Sequence, residues 1–141
     1  MIRNENIRIA VLNLGCGRKR LDGAINLDRV ADVNPDVVHD IDKFPWPLEE
    51  NSFNEVHAND IIEHCSDVVA TMEEIHRVCQ NGAVVRITTP HFSSANSFID
   101  PTHRYHFSYF SFHYFTGEHD FAFYTEKRFR RRQAQIIFIQ R

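Results

Sequence analysis

The feature that most constrains this chain is a series of short apolar runs, each of which stops at a small or polar residue. Ile7 to Leu14 (IRIAVLNL) is nearly all apolar and stops at Gly15. Ala24 to Leu27 stops at Asp28, Asp36-Val37-Val38-His39 at Asp40, and Asn54 to Ala58 at Asn59 and Asp60. Runs of this length bounded by turn residues predict strands, and the near-continuous first one predicts a strand buried on both faces of a parallel sheet.

Between these runs one segment carries helical spacing. Val68, Val69, Met72, Ile75, Val78 and Cys79 form a single apolar stripe over Asp67 to Cys79, at the one-, three- and four-residue intervals of a helix face. Ser66 suits the N-cap and Asp67 the first turn, while Asn81-Gly82 predicts a left-handed stop. Ala83 to Thr89 reads as the next strand, closed by Pro90. An aromatic-rich helix is expected from about Ser108 to Phe115, and a last strand over Gln135 to Ile139. The expected fold is α/β: a Rossmann-like, mostly parallel sheet with flanking helices, shortened at both ends. The whole of 1–141 is expected to form one domain. Its ending near a sixth strand leaves a C-terminally truncated form as one reading.

Composition narrows the function classes. An apolar fraction of 43% with 25% charged residues is that of a folded globular chain. Cys16, Cys65 and Cys79 are odd in number and form no Cys-x-x-Cys, which predicts a reducing, cytoplasmic setting. No signal peptide or membrane-length apolar run is legible. Lys127 to Arg141 holds six of the sixteen basic residues and no acid, so the preceding chain sums to −9. Such an acidic body argues against a nucleic-acid partner. The run Lys127-Arg128-Phe129-Arg130-Arg131-Arg132 reads as the solvated face of a strand, with a phosphate patch as the alternative.

In a parallel sheet, ligands bind beyond the carboxyl ends of the strands. Here those ends carry Gly15-Cys16-Gly17, Asp28, Asp40, Asn59-Asp60 and Pro90-His91. A dinucleotide would need a third glycine, a helix N-terminus facing the diphosphate and an acid about 20 residues on. Gly17 is instead followed by Arg18 to Asp22 and Gly23, and Asp28 comes only eleven residues later. S-adenosylmethionine carries no phosphate. It needs close backbone approach, which Gly15 and Gly17 allow, and an acceptor for its ribose diol, which Asp28 supplies. Asp40 can accept from the adenine amine, with Ile41 or Phe44 covering the ring.

The segments LNLGCG, GAINLD, VHDIDKFPWPLEENSFNEVHANDIIEH and EEIHRVCQNGAVVRITTP resemble, in order and spacing, the motif series of class I S-adenosylmethionine-dependent methyltransferases. They look most like the compact group with a minimal first crossover and a "Leu-Glu-His"-like step, here Ile62-Glu63-His64. The resemblance covers about residues 9 to 116. It implies cofactor contacts from Gly15, Cys16 and Gly17, ribose binding by Asp28, adenine contacts from Asp40 and Ile41, and Asn59 beside the methionine end. One departure is Gln80-Asn81-Gly82 where the family usually has Pro-Gly-Gly. Cys16 reads as a packing residue and His64 as a structural closure of the site floor. Trp46 is either core or part of the adenine wall.

The stretch Pro90 to His119 holds five of the nine histidines, interleaved with aromatics, and starts where a strand meets the rim. His103, His106 and His91 are the candidate general bases, since imidazole holds a proton near neutral pH. Arg104 could grip an acidic acceptor. The aromatics read either as acceptor-pocket walls or as a lid over the sheet. A metal set of His91, Asp100, His103 and His106 is considered and set aside, because methyl transfer needs none. The expected reaction is in-line transfer of the sulfonium methyl to an oxygen or nitrogen of a small-molecule or sugar acceptor. The alternatives are a non-catalytic cofactor-binding or scaffold module and an aminopropyltransferase-like enzyme. No membrane partner is expected. A homodimer is, through edge pairing of Gln135 to Ile139.

Overall fold

The computed structural model describes residues 10–138. Five parallel strands lie in the order β3-β2-β1-β4-β5. They are β1 (Val11–Leu14), β2 (Ile25–Asp28), β3 (Val37–Val38), β4 (Phe53–Asn59) and β5 (Cys79–Thr88). The helices are α1 (Val68–Val78), α2 (Asn96–Ile99) and α3 (His113–Thr116). The expected first strand is borne out from Val11 onward; residues 7–9 lie outside the described residues.

β1 is buried on both faces as expected, with Leu12 and Leu14 on one and Asn13 on the other, but the two faces of the sheet differ in character. Leu12, Leu14, Val56 and Ala58 are fully buried, with Val85 and Ile87 beside them, in one core cluster with Met72, Ile75 and Val78 of α1. Fully burying such a side chain contributes about 1.5–3 kcal/mol. The opposite face is polar. Between β4 and β5 it carries Glu55, whose Oε1 accepts from Arg86 Nε at 2.9 Å and lies 2.8 Å from His57 Nε2. The Arg86 guanidinium holds the Glu55 carboxyl below its usual range.

Under the first crossover, buried Asn13 and Asn26 stand side by side in register. Asn13 Nδ2 donates to Asn26 Oδ1 and to the Lys19 carbonyl, both at 2.9 Å. Asn26 in turn accepts from Leu21 N and donates to the carbonyls of Leu21 and Ala24. These two amides satisfy the backbone of a loop too short for a helix. That is how the chain crosses from β1 to β2 without one.

α1 follows the predicted stripe, but its N-cap is Asp67, whose carboxylate accepts from Ala70 N at 2.9 Å. Ser66 is drawn away: its N–H and hydroxyl donate to Asp42 at 2.8 and 2.5 Å. At the other end Asn81-Gly82 is not the stop. The chain turns extended at Cys79 (φ −74°, ψ 137°) and enters β5 four residues before the predicted strand. Gly82 (φ +84°) serves the irregular pairing at the start of β5, where the register with β4 shifts between Phe53 and Glu55.

Two further expectations are corrected. The aromatic helix contracts to α3, preceded by turns, because Phe107, Phe112 and Phe115 are committed to the core and to stacking on one another. Residues 135–138 form no strand; Ile139 lies outside the described residues. The basic run therefore has no strand face to occupy. Arg128 donates to the carbonyls of Ala122, Thr125 and Lys127, and Arg131 pairs with Glu118 at 3.3 Å and lies over the Tyr109 ring. No helix among the described residues is long and apolar enough to cross a membrane.

Candidate active site

Parallel register brings the strand ends level. Leu14 lies beside Leu27 and Ala58, Asp28 beside Val38, and Asn59 beside Thr88. The loops that leave these positions therefore share one edge of the sheet.

After β1 the chain turns through two left-handed residues, Gly15 (φ +63°) and Gly17 (φ +50°). Both suit glycine by backbone alone. A Cβ on Gly15 would come within 2.5 Å of the Ile61 side chain, whereas the position above Gly17 is open. The turn is clamped to β2: Cys16 N donates to the Leu27 carbonyl at 3.0 Å and Gly17 N to Asp28 Oδ2 at 2.8 Å. Asp28 Oδ1 accepts from Val30 N at 2.9 Å. Each carboxylate oxygen thus holds one backbone N–H and keeps a second lone pair. Cys16 is buried, and burial followed by the nearby Asp28 charge pushes its thiol up, away from thiolate chemistry.

After β3, Asp40 Oδ1 accepts from Asp42 N at 3.0 Å, and the Ile41 carbonyl accepts from Trp46 Nε1 at 2.9 Å. Trp46 is 2% exposed and belongs to the core, which settles its two readings; Phe44, half exposed, stacks on it at 6.3 Å. The loop is strapped to α1 through buried Glu74, whose Oε1 accepts from Trp46 N at 2.7 Å. Arg77 pairs with Glu74 and donates to the carbonyls of Trp46 and Leu48. After β4, Asn59 Oδ1 accepts from Thr88 Oγ1 at 3.1 Å.

The three histidines proposed as bases do not converge. His91 Nδ1 lies 2.7 Å from Ser93 Oγ, with its ring against Phe92. His106 Nδ1 lies 2.7 Å from Ser97 Oγ, and its ring stacks on Phe98 at 4.1 Å. Only His103 lines a groove of about 340 Å³, together with Asp60, Glu63, His64, Pro90, Asn96, Ile99 and Asp100. A larger hollow of about 490 Å³ along residues 117–128 includes none of the strand-end residues.

Within that groove His103 Nδ1 donates to the Ser97 carbonyl at 3.1 Å. Its Nε2 lies 3.7 Å from Asp100 Oδ2 and 3.9 Å from Glu63 Oε1, and its ring meets His64 edge-on at 4.7 Å. Glu63 is 1% exposed. Its Oε2 accepts from Thr89 Oγ1 at 3.1 Å, while Oε1 has no hydrogen-bond partner among the described residues. Burial, with a smaller push from Asp60, raises its carboxyl above the usual range. The backbone N–H groups of Arg104 and Tyr105 donate to the Glu63 carbonyl, which fixes the histidine loop against this corner. The Arg104 residue itself is exposed.

Sequence reasoning took Glu63 only as part of a motif and gave Asp60 and Asp100 no common role. The usable signal was a carboxylate inside an otherwise apolar strand-to-helix step, Ile61-Ile62-Glu63.

A family model described as "Methyltransferase domain" matches residues 22–87. No curated protein matches the sequence. Several solved structures share the fold. One comes from the complex between the Haloferax volcanii Trm112 methyltransferase activator and a methyltransferase, with TM-score 0.60 and 16% identity, covering 75% of this chain and 58% of that one. Another is a SAM-dependent methyltransferase from Archaeoglobus fulgidus, with TM-score 0.59 and 20% identity, covering 71% and 55%. A third is the YcgJ protein of Bacillus subtilis, with TM-score 0.57 and 16% identity, covering 72% and 56%. This chain spans a little over half the length of each. The chain thus shares the fold of these structures, and its residues 22–87 match a methyltransferase-domain model.

Proposed function

We propose that this chain binds S-adenosylmethionine along the strand-end edge and methylates an oxygen or nitrogen of a small-molecule or sugar acceptor seated in the His103 groove. The observation that carries the reading is the clamped turn after β1. Gly17 leaves room for close backbone approach, and Asp28, tied to Gly17 N and Val30 N, keeps one lone pair on each oxygen for a ribose diol. Asp40, Ile41 and half-exposed Phe44 suit the adenine side, and Asn59 the methionine end. Gly15 and buried Cys16 shape the turn rather than react.

S-adenosylmethionine, when bound, supplies an activated methyl group. The chain's part is to hold the acceptor in line, exclude water and accept its proton. Of His103, His106 and His91, His103 is the one we assign to the proton. Its Nδ1–H is engaged by the Ser97 carbonyl, so in the neutral ring Nε2 is a free lone pair facing the groove. An aminopropyltransferase-like reading draws on Asp60, Glu63 and Asp100, three carboxylates that would suit a polyamine in the same groove.

The test is a transfer screen with methyl-labelled cofactor over sugars, small hydroxy acids and amines, run beside decarboxylated cofactor with putrescine. Label in an oxygen or nitrogen acceptor supports the proposal. Cofactor binding without transfer to any acceptor supports the scaffold reading. We place the protein in the cytoplasm on its three free cysteines. A homodimer now rests only on the open edge of β5 and the exposed Ile137 and Phe138, since the strand first expected there is absent from residues 135–138.

A further inference from the structure

Glu63, His64 and His103 each offer one donor atom, and the three atoms lie within 4.8 Å of one another. Around a single ion with bonds of roughly 2.0–2.2 Å, donors sit about 3.0–3.5 Å apart, so closure needs only small side-chain movements. Metal-ligand histidines have their other ring nitrogen held by an outer partner, and both rings here meet that condition. His103 Nδ1 faces the Ser97 carbonyl, an acceptor, which puts the proton on Nδ1 and the lone pair on Nε2. Thr102 Oγ1 donates to Asp100 Oδ1 at 2.7 Å and so accepts from His64 Nδ1 at 3.0 Å. That leaves the lone pair of His64 on Nε2 as well.

The corner is consequently a meeting of acceptors. The lone pair of His103 Nε2 looks at Glu63 Oε1 and Asp100 Oδ2, and Glu63 Oε1 is buried with no donor among the described residues. A buried carboxylate oxygen without a partner is costly to keep, and a cation satisfies it together with both imidazoles. Asp60 and Asp100 also line the groove and add negative charge. Two imidazoles and one carboxylate, with positions left open toward the groove, are a donor set for a first-row divalent transition ion.

We infer that Glu63, His64 and His103 form a binding site for a divalent transition-metal cation on the acceptor side of the groove, against the expectation from sequence that no metal is needed. The inference rests on the methyltransferase reading for its use. A cation there would bind the acceptor hydroxyl and ease its deprotonation, a role that replaces free His103 as the base. The metal set weighed from sequence is not the one assembled. Of His91, Asp100, His103 and His106, only Asp100 and His103 meet.

The test uses the full chain, stripped with chelator and titrated with MnCl2. Manganese is chosen because it prefers oxygen and nitrogen donors to thiols. Loss of the free-ion paramagnetic resonance signal should report one site per chain. Glu63→Gln and His103→Asn should each weaken it by at least tenfold. Thr102→Val, which removes the outer partner of His64 together with the hydroxyl bond to Asp100 and leaves all three ligands in place, should weaken it by roughly 10–100-fold. His57→Asn, in the histidine–glutamate pair on the polar sheet face, should leave it unchanged. If Glu63→Gln fails to fold, Thr102→Val and the wild-type stoichiometry carry the decision. No stoichiometric uptake at micromolar Mn²⁺, or uptake unaltered by these substitutions, would overturn the site. S-adenosylhomocysteine binding by the stripped chain is measured in parallel. Its retention alongside absent metal would sink the cation alone, and its loss would strike the methyltransferase reading.

Discussion

Removing the Asp28 carboxylate should act twice, on the turn and on the ligand. In the free protein Asp28 accepts from Gly17 N at 2.8 Å and from Val30 N at 2.9 Å. Hydrogen bonds to a charged group are worth about 1.5–3 kcal/mol, but Asp28 is partly solvent-exposed, so the lower end applies to stability. Asp28→Ala should therefore lower stability by about 1.5 kcal/mol, a fall in Tm of roughly 4–6 °C for a domain of this size. The ribose contact is lost on top of this. Forfeiting about 1.5–3 kcal/mol there raises the Kd for S-adenosylhomocysteine roughly 10–150-fold. Asp28→Asn separates the two effects. It retains one acceptor for Val30 N and loses the charge, so its Tm should fall less than that of Asp28→Ala while its affinity falls nearly as far. Thermal unfolding by circular dichroism and titration calorimetry at a temperature where both variants are folded supply the readouts. A folded Asp28→Ala variant that binds with wild-type affinity would remove Asp28 from the cofactor site.

Truncating the strap, Glu74→Ala, strands Trp46 N and frees Arg77; urea unfolding should show a loss of about 2–3 kcal/mol. Asp36 is held down to about 2 by the Asn26 backbone N–H, the Asn26 side chain and Arg20. Its carboxylate stabilises the fold above the unfolded value near 4 and loses that effect as the pH falls toward 2. The stability gap between wild type and Asp36→Asn should accordingly narrow between pH 5 and 2.5, and a constant gap would contradict this. His103→Ala should leave S-adenosylhomocysteine affinity intact and cut turnover by about 10²–10⁴-fold; full turnover in steady-state assays would assign His103 to packing.

The strand ends were legible because each apolar run meets a residue that a buried strand does not tolerate: Gly15, Asp28, Asp40, Asn59. α1 was legible because its stripe is buried as spaced, through Met72, Ile75 and Val78. What sequence did not show depends on partners distant in the chain. Ser66 looks like a cap until Asp42, 24 residues earlier, takes its hydroxyl. Asn81-Gly82 looks like a helix stop, but β4 pairs with the chain from Cys79 onward and pulls it straight out of the helix. The apolar stretch near residue 136 looks like a strand, yet no neighbour pairs with it over the described residues, and an apolar run alone does not make a sheet. The Glu63–His64–His103 corner joins residues about forty positions apart, and no local spacing rule reaches that far.

The most direct measurement is titration calorimetry of the wild-type chain with S-adenosylhomocysteine, run beside NAD⁺ and ATP. The account predicts one saturable site per chain for S-adenosylhomocysteine. It predicts none for the two phosphate-bearing nucleotides, because the turn at Gly15 to Gly17 leads into the loop over Asn13 and Asn26 rather than into a helix N-terminus. A folded chain that gives no saturable heat with S-adenosylhomocysteine at millimolar concentration, or that binds NAD⁺ or ATP instead, would contradict it.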